Sequence, residues 1–353
     1  MYEFHWPTKT IFGAGVIREI NQYLQPAGSN GNLLLVAPQE PWAAPVLERI
    51  KASLIPSGWQ QVDLFAEVEP NPSWRTVEKG TLAGKQLAAG AVLALGGGST
   101  MDAGKVIAQR CGAELLCTIP TTAGTGGEIS PWAVISNLET REKDSVVAKW
   151  PELSLLDPEL TRSVPPVVTL FTGIDAFIHG LEAYLASAAT AITDALALQG
   201  MKLVAANLET AINKGENTAA RSGMLEGSLL TGAAMLHAGL GLMHAIGNVT
   251  GGLYHDLPHG LILMRCLDAV LSFNQPAVGE KYSEIKELVR EVQEVTQRQF
   301  EILKVPEVAV KKEDLDLLAD RAVWNVNAKT NPRPADAADV KRLVRDSFTI
   351  LEQ

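Results

Sequence analysis

The stretch AVLALGGGST, residues 91–100, decides the fold class that the sequence predicts. Its first five residues form a short apolar run typical of a buried strand, and the glycines that follow indicate a turn. A helical pattern containing Asp102 and Lys105 comes next. Glycines between a strand and a helix let backbone N–H groups approach a phosphate at the helix N-terminus. The spacing is neither G-x-G-x-x-G nor a Walker loop, so a pyrophosphate site and a plain turn both remain open from this stretch alone.

The same alternation extends in both directions along the first half of the chain. Apolar runs at 33–37, 61–65, 115–119 and 153–156 are separated by helical patterns at 45–53, 73–88 and 102–110. This order predicts βαβ units with a parallel, Rossmann-like sheet. We therefore expect an α/β dinucleotide-binding domain over residues 1–164.

The second half has a different character. Pro165 and Pro166 mark a break, after which Ala, Leu, Glu and Lys dominate with few β-type runs. We expect an all-helical domain over residues 165–353, with N-caps at Thr169 and Asp336 and with Asp175 in a first turn. With 353 residues, the chain is long enough for two such cores.

Composition excludes several classes of protein. Forty acidic against thirty basic residues give a net charge of −10, which excludes a nucleic-acid partner that needs a broad basic surface. Three cysteines without metal-ligand spacing and a polar N-terminus without a leader pattern predict a cytoplasmic protein. The uncharged stretch 227–255 is long enough to span a bilayer, but its polar residues and glycines favour a buried helix, so no membrane partner is expected.

A second polar loop, PTTAGTGGE at residues 120–128, follows another apolar run. Small side chains at the carboxyl end of a parallel strand are where an α/β sheet binds its ligand. The hydroxyls of Thr121, Thr122 and Thr125 suit ribose and phosphate, and two such loops on neighbouring strands indicate a dinucleotide. The alternative is a polar loop with a helix cap at Thr125 or Glu128.

Histidines concentrate in the second half, where five of the six lie between positions 179 and 259. Asp175 and His179 are four residues apart on a predicted helix and share one face. Together with His244 and His259 they offer one carboxylate and three imidazoles, a set suited to a divalent Fe or Zn ion. We interpret His237 as a core residue.

Three motifs in this order resemble the iron-containing, or group III, alcohol dehydrogenases. They are GGGS with Asp102 and Lys105, TTAGTG with Glu128, and GIDAFIH at residues 173–179. The resemblance extends over nearly the whole chain, from TIFGAG at 10–15 through PNP at 70–72 to TNPRP at 330–334.

The resemblance implies a dehydroquinate synthase-like fold and a metal-dependent oxidoreductase. Such an enzyme transfers hydride between a nicotinamide cofactor and a small alcohol or aldehyde, in a cleft between its domains, and forms homodimers or larger assemblies. It implies one Fe²⁺ or Zn²⁺ ion, with the ligands Asp175, His179, His244 and His259. The cofactor-binding residues that it implies are Gly97, Gly98, Ser99, Asp102, Thr121, Thr122, Thr125 and Lys143, with Asn71 facing the cleft.

Four departures from the family pattern affect these expectations. Asn248 stands where a proton-relaying histidine is common, and Gly127 stands where a serine is usual. One extra residue between His244 and His259 makes His255 a competing ligand. Pro38 and Gln39 stand where members that prefer NAD carry an aspartate, so the choice between NAD and NADP stays open.

Two other activities share this fold. One is a metal-free NAD(P)H reductase similar to the maleylacetate reductases, which the absence of histidine at Asn248 brings into consideration. The other is a lyase of the dehydroquinate synthase type. The four metal-ligand candidates argue against the first, and the loop 121–128 with the spacing of Asp175 and His179 favours the dehydrogenases over the second.

Overall fold

The computed structural model describes residues 2–28, 31–140 and 142–352. The chain divides into two compact units. The α/β unit contains His5–Thr122 and Gly126–Val164, and the helical unit contains Met1–Phe4, Ala123–Thr125 and Pro165–Gln353. The predicted class, a parallel sheet in the N-terminal region followed by a helical part, is confirmed. The assignment of residues 1–164 and 165–353 as two domains stays a prediction.

The α/β unit contains eight strands and four α-helices within the described ranges. The strands are β1 (Lys9–Phe12), β2 (Asn32–Pro38), β3 (Gln61–Val68), β4 (Ala91–Gly96), β5 (Leu115–Pro120), β6 (Trp132–Asn137), β7 (Glu142–Val147) and β8 (Leu153–Leu156). The helices are α1 (Ile20–Tyr23), α2 (Ala43–Leu54), α3 (Trp74–Leu87) and α4 (Gly98–Cys111). Six strands form a parallel sheet in the order β1-β8-β5-β4-β2-β3, while β6 and β7 form a separate antiparallel hairpin.

The strand order creates a switch point between β2 and β4. The chain leaves β2 towards β3 on one side and leaves β4 towards β5 on the other. In open α/β sheets, ligands bind outside the carboxyl ends of the strands at such a point. The segments after Pro38 and after Gly96 therefore flank the expected ligand crevice.

Helices cover both faces of this sheet because its central strands are apolar on both sides. Leu33 and Leu35 of β2 pack into one core with residues of α1 and α2. Leu34 and Val36 point the other way and join a second core with residues of α3 and α4. The sheet is therefore doubly wound.

The helical unit is built from seven α-helices and one small sheet among the described residues. The helices are α5 (Pro166–Leu185), α6 (Ala191–Asn213), α7 (Thr218–Ala238), α8 (Leu242–Leu253), α9 (His259–Leu303), α10 (Leu315–Trp324) and α11 (Ala337–Ser347). Two short strands, β9 (Ala309–Lys311) and β10 (Thr349–Leu351), pair in parallel. The expectation of an all-helical second half is wrong at these two strands, whose three-residue length is too short for a periodic sequence signal.

The helix starts show which sequence signals were reliable. The cap expected at Thr169 is wrong, because α5 begins at Pro166, where a missing backbone N–H costs nothing. Asp175 consequently lies inside α5 and not in its first turn. The cap at Asp336 is confirmed: its side chain accepts from the backbone N–H of Asp339 in a reciprocal capping box.

Glycines bring α6 and α7 into close contact. A Cβ atom at Gly200 would lie 2.9 Å from the carbonyl oxygen of Gly227, and one at Gly227 would lie 3.0 Å from that of Gly200. The uncharged stretch 227–255 therefore corresponds to the packed second half of α7 and to α8. Among the described residues, no helix on its own has the length and apolarity to cross a membrane, although α7 and α8 pass the test together across a bend of 101°.

The close approach of α6 and α7 predicts that alanine destabilises the protein at Gly200, which lies at this contact. The same substitution at Gly279, which lies outside it, should have the opposite effect. Gly200→Ala places a methyl group against backbone and should destabilise the protein by about 1–3 kcal/mol. Gly279→Ala, in α9 with no atom within 4 Å of the new Cβ, should stabilise it by up to about 1 kcal/mol. Chemical unfolding of both variants tests this, and equal effects at the two positions would contradict the packing account.

Candidate metal and dinucleotide sites

Asp175 is the centre of a cluster of three histidines, of which His179 and His244 are buried and His259 is partly exposed. Its Oδ1 atom lies at similar distances from three imidazole nitrogens: 3.6 Å from His179 Nε2, 3.5 Å from His244 Nε2 and 3.8 Å from His259 Nε2. In a tetrahedral site with metal–ligand bonds of about 2.0–2.2 Å, ligand atoms are roughly 3.3–3.6 Å apart. Asp175 Oδ1 is therefore at about this spacing from the three nitrogens, but among the described residues only Asp175, His244 and His259 form a mutually close set, and His179 lies outside it.

Three different helices supply these four side chains. Asp175 and His179 lie one turn apart on α5, His244 lies in the first turn of α8, and His259 is the first residue of α9. Ligand atoms of Asp175, His244 and His259 all lie within 4.8 Å of one another. The His179 ring stacks on that of His244 with a centroid separation of 4.5 Å.

Hydrogen bonds at the far side of two rings direct their Nε2 atoms towards Asp175. The Nδ1 atom of His179 lies 3.1 Å from the carbonyl oxygen of Gly124, which makes Nδ1–H the donor. The Nδ1 atom of His244 lies 2.6 Å from Glu182 Oε2 and donates there. In metal sites, such bonds fix the tautomer and orient the ring.

Glu182 also holds the start of α8. Its carboxylate accepts from the backbone N–H groups of Met243 at 2.7 Å and His244 at 3.4 Å. Asn331 accepts from Leu242 N–H at 3.2 Å, so two side chains satisfy donors that the helix end leaves unpaired. A Cβ atom at Gly241 would lie 2.7 Å from Glu182 Oε1, so the missing side chain permits this approach.

Glu182 and Asn331 were missed by sequence reasoning, although each carried a signal. Glu182 follows His179 by three residues on α5, which places both on one helix face. Asn331 belongs to the TNPRP stretch, which supported the resemblance but received no role. Its partners on α8 are distant in sequence, so only the fold brings them together.

The structure brings His259, and not His255, to the cluster. His255 is exposed in the turn between α8 and α9, whereas His259 points at Asp175 from the start of α9. Gly260 allows this helix start to approach α5, since a Cβ there would lie 2.1 Å from the carbonyl oxygen of Phe171. His255 therefore lies outside the cluster and His259 lies within it.

Burial and mutual charge shift the pKa values of the cluster in different directions. Burial would raise the pKa of Asp175, but the neighbouring imidazoles hold it well below its usual range. Burial lowers the pKa of His179 to about 4, against the opposing effect of Asp175. Burial would also lower the pKa of His244, but the nearby carboxylates of Asp175 and Glu182 raise it to about 9.

The chemistry of the cluster fits a divalent cation. Asp175 Oδ1 and His244 Nε2 are buried without a hydrogen-bond partner, which is costly unless another group binds them. The carboxylates of Asp175 and Glu182 carry two negative charges in a buried environment, and one divalent ion with three neutral imidazoles balances them. Nitrogen and oxygen donors suit both Fe²⁺ and Zn²⁺.

The two glycine- and threonine-containing loops meet at the carboxyl ends of β4 and β5. Helix α4 begins at Gly98 with Gly97 as its N-cap, directly after β4. Thr121 N–H donates to the carbonyl oxygen of Gly96 at 3.0 Å, and Thr122 Oγ1 lies 3.3 Å from where a Cβ of Gly97 would be. Thr125, by contrast, lies in the segment that belongs to the helical unit.

Asp102 and Lys105 connect α4 to the β6–β7 hairpin. Asp102 Oδ2 accepts from Val134 N–H at 3.0 Å. The fully buried Lys105 Nζ donates to the carbonyl oxygen of Trp132 at 2.7 Å and lies 3.4 Å from Asp102 Oδ1. Burial raises the pKa of Asp102 and raises that of the nearby Glu128 to about 7. In both cases the positive charge of Lys105 acts in the opposite direction and lowers the pKa.

Lys143 and Asn71 contact one another directly. Lys143 lies on β7 opposite Ser136 of β6, and its Nζ donates to Asn71 Oδ1 at 2.9 Å. That Asn71 faces a cleft stays a prediction, as do the roles in cofactor binding.

Comparison with known proteins identifies the class of protein. A sequence profile described as "Iron-containing alcohol dehydrogenase" matches residues 7–158, and one described as "Fe-containing alcohol dehydrogenase family, C-terminal" matches residues 169–348. The chain therefore belongs to the iron-containing alcohol dehydrogenase family, whose members are oxidoreductases acting on CH–OH donors.

Several relatives match over nearly the whole chain. The chain is 32% identical to 1-propanol dehydrogenase PduQ of Salmonella typhimurium, over 98% of the chain and all of the relative. It is 30% identical to the NAD-dependent methanol dehydrogenase of Bacillus methanolicus, over 99% of the chain and all of that protein. A crystal structure of 1,3-propanediol oxidoreductase matches with a TM-score of 0.88 and 29% identity, covering 99% of this chain and all of that one.

The contacts of Glu182 predict that Glu182→Gln weakens metal binding by about 10–100-fold. The amide removes one buried negative charge and cannot accept every N–H that the carboxylate accepts. Competition with a chelator for Zn²⁺ measures the effect. Thr190→Ala is the control, because it removes the N-cap of α6 and costs about 1 kcal/mol of stability without touching the cluster. Equal metal affinity in wild type and Glu182→Gln would contradict the role of the carboxylate.

The burial of Glu128 predicts a pH-dependent cost in stability. Because its pKa rises from 4.5 to about 7 on folding, the folded state holds a proton that the unfolded state has lost, so stability falls as pH rises through this window. Glu128→Gln has no carboxyl group to titrate and should not show this fall in stability. Urea unfolding should show that, from pH 5 to pH 8, the free energy of unfolding of the wild type falls by about 2–3 kcal/mol more than that of the variant. A difference that is independent of pH would contradict the burial argument.

Proposed function

We propose that this protein interconverts small primary alcohols and aldehydes, with NAD as cofactor and one Fe²⁺ or Zn²⁺ ion held by Asp175, His179, His244 and His259. The observation that carries the proposal is that imidazole nitrogens of His179, His244 and His259 lie 3.6, 3.5 and 3.8 Å from Asp175 Oδ1 in the helical unit. The substrate class is supported by relatives named for 1-propanol, methanol and 1,3-propanediol.

The metal cluster suits this chemistry. A divalent ion supplies Lewis acidity, which lowers the pKa of a substrate hydroxyl or polarises an aldehyde carbonyl. The chain's own contribution is to hold the rings in place, since Gly124 and Glu182 fix the Nδ1–H groups of His179 and His244. The retention of all four ligand candidates favours this reading over a metal-free reductase.

The glycine loop and the loop after β5 are proposed to bind the dinucleotide. Gly97, Gly98 and Ser99 present the N-terminus of α4 to the pyrophosphate, where backbone N–H groups and the helix dipole favour an anion. Thr121, Thr122 and Thr125 contact the ribose side, Asp102 the nicotinamide side, and Lys143 the nicotinamide ribose. The position of the loop after β4 at the switch point supports this assignment.

We infer a preference for NAD over NADP from the segment that follows β2. This segment lies on the other side of the switch point, where the adenosine ribose is read in such sheets. Glu40 is exposed there, and its carboxylate accepts from Trp42 Nε1. Residues 38–48 contain no Lys or Arg, so the segment offers a 2′-phosphate repulsion and no cation.

The family resemblance also supports a cytoplasmic enzyme that forms homodimers or larger assemblies. The composition supports the absence of nucleic-acid and membrane partners, since the net charge is −10.

A steady-state assay of the full chain, loaded anaerobically with Fe²⁺ or with Zn²⁺, tests the function. We expect turnover of 1-propanol and of the corresponding aldehyde, with kcat/KM at least about tenfold higher for NAD than for NADP. His179→Ala should lose metal and at least about a hundredfold in turnover while it still binds NADH, because it removes a ligand from the helical unit only.

Three results would contradict parts of the proposal. Turnover at the wild-type rate in His179→Ala would show that the metal assignment is wrong. Equal use of NAD and NADP would show that Glu40 does not select NAD. A full panel of small alcohols and aldehydes without turnover in any metal-loaded sample would remove the substrate class.

A further inference from the structure

The segment TNPRP, residues 330–334, contacts the turn that joins α7 to α8. Thr330 Oγ1 donates to the carbonyl oxygen of Leu240 at 2.7 Å, within this turn. The side-chain oxygen of Asn331 accepts from the backbone N–H of Leu242 at 3.2 Å, where α8 begins. Two consecutive side chains therefore hold the entry to α8.

The side chain of Asn331 uses every hydrogen-bonding position of its amide. Besides Leu242 N–H, its oxygen accepts from Asn274 Nδ2 at 3.0 Å. Its nitrogen donates to Asn274 Oδ1 at 2.7 Å and to the carbonyl oxygen of Arg333 at 2.6 Å. An amide offers two acceptor positions and two donors, so all four are filled. Because Leu242 presents only a donor and Arg333 only an acceptor, the amide has one allowed orientation.

Asn274 and Asn331, the amide pair, connect the start of α8 to the middle of α9. Both side chains are buried, and they exchange two hydrogen bonds. A second contact fixes the segment to the same part of α9. Arg333 Nη1 donates to the carbonyl oxygen of Phe273 at 2.9 Å, and its guanidinium lies 4.0 Å from the centre of the Phe273 ring. The segment is therefore anchored on α9 on either side of the bond to α8.

Each of the two connected helices carries a metal-ligand candidate. His244 is the third residue of α8, two positions after Leu242. His259 is the first residue of α9, fifteen positions before Asn274. The helices thus meet at the ligand cluster and, separately, at the amide pair. Since neutral amides do not titrate, the second connection holds α8 whatever the charge of the cluster.

A neutral connection suits this place better than a second carboxylate would. Glu182 already accepts from two backbone N–H groups at the start of α8 and brings a buried negative charge. Another carboxylate at Asn331 would add a charge to the same core, and it could not donate to Asn274 or Arg333. The amide satisfies the Leu242 N–H and donates twice without that cost. Ligands held in place in this way lose less conformational entropy when an ion binds.

We propose that Asn274 and Asn331 are positioning residues of the metal site, whose paired amides hold the first turn of α8 against α9 and so place His244 before the divalent cation binds. This inference rests on the metal site of the proposed function. It gives the TNPRP segment a role in metal affinity, although none of its residues belongs to the proposed ligand set.

A double-mutant cycle on Zn²⁺ affinity of the full chain, measured by chelator competition, tests the pairing. Asn274→Ala and Asn331→Ala should each weaken Zn²⁺ binding about tenfold, because the first turn of α8 must then be ordered when the ion binds. The double variant should match Asn331→Ala, since Asn274 acts through Asn331. Effects that multiply would overturn the proposal.

Asn217→Ala is the matched control for loss of stability. Asn217 caps the start of α7 in the same unit, where its side-chain oxygen accepts from Ala220 N–H at 3.0 Å. This variant should lower the unfolding temperature of the metal-free protein and leave the Zn²⁺ affinity unchanged. If the amide pair were merely structural, Asn274→Ala would behave in the same way. A lower unfolding temperature with unchanged Zn²⁺ affinity in Asn274→Ala would therefore overturn the proposal.

Hydrogen exchange of the Leu242 N–H in the wild type tests the order of events without any variant. We expect this amide to exchange at least about a hundredfold more slowly than in an unfolded chain, already in the metal-free protein. Adding Zn²⁺ should change its rate little, because Asn331 accepts from it before the ion binds. Protection that appears only after Zn²⁺ is added would overturn the proposal, even if the alanine variants fail to fold.

Failure of the amide pair and failure of the metal site give different results. If the wild-type chain binds no Zn²⁺, the proposed metal site is wrong and the role of the pair falls with it. If the wild type holds one Zn²⁺ per chain and both single variants bind it equally well, only the role of the pair is wrong. The thermal unfolding transition of each variant shows that its affinity refers to folded protein.

Discussion

The buried carboxylate of Asp175 is the constraint on which the helical unit depends. Three imidazoles converge on it from α5, α8 and α9, so these helix starts and turns must meet within a few ångströms. Such a concentration of polar atoms in a core is tolerable only when each atom has a partner. Glu182, Gly124 and Asn331 supply part of this need, and the proposed divalent cation would supply the rest.

The α/β unit is organised by a different constraint, the reversal of strand order at the boundary between β2 and β4. This reversal leaves the ends of two strands uncovered and places the N-terminus of α4 beside them. The hairpin β6–β7 is then anchored by Asp102, Lys105 and Asn71. The groups suited to bind an anionic cofactor therefore lie on supports that are fixed by hydrogen bonds.

Much of this architecture could be predicted from local sequence signals, and the exceptions have physical reasons. The strand at 91–96 and the helix after it carry strong periodicity and a glycine turn, and Asp175 with His179 share a helix face. The hairpin β6–β7 was missed because β7, with the sequence EKDSVV, is largely polar and partly exposed, so it carries no apolar run. Glu182 and the links of Asn71 were missed because their partners lie 28 to 72 residues away, and only the fold brings them together.

X-ray absorption at the zinc edge, on protein that holds one Zn²⁺ per chain, is the measurement that tests the central claim most directly. The account predicts a first shell of nitrogen and oxygen at about 2.0–2.2 Å with the outer-shell scattering of three imidazoles. A sulfur shell at about 2.3 Å, or scattering from no more than one imidazole, would contradict a site formed by Asp175, His179, His244 and His259.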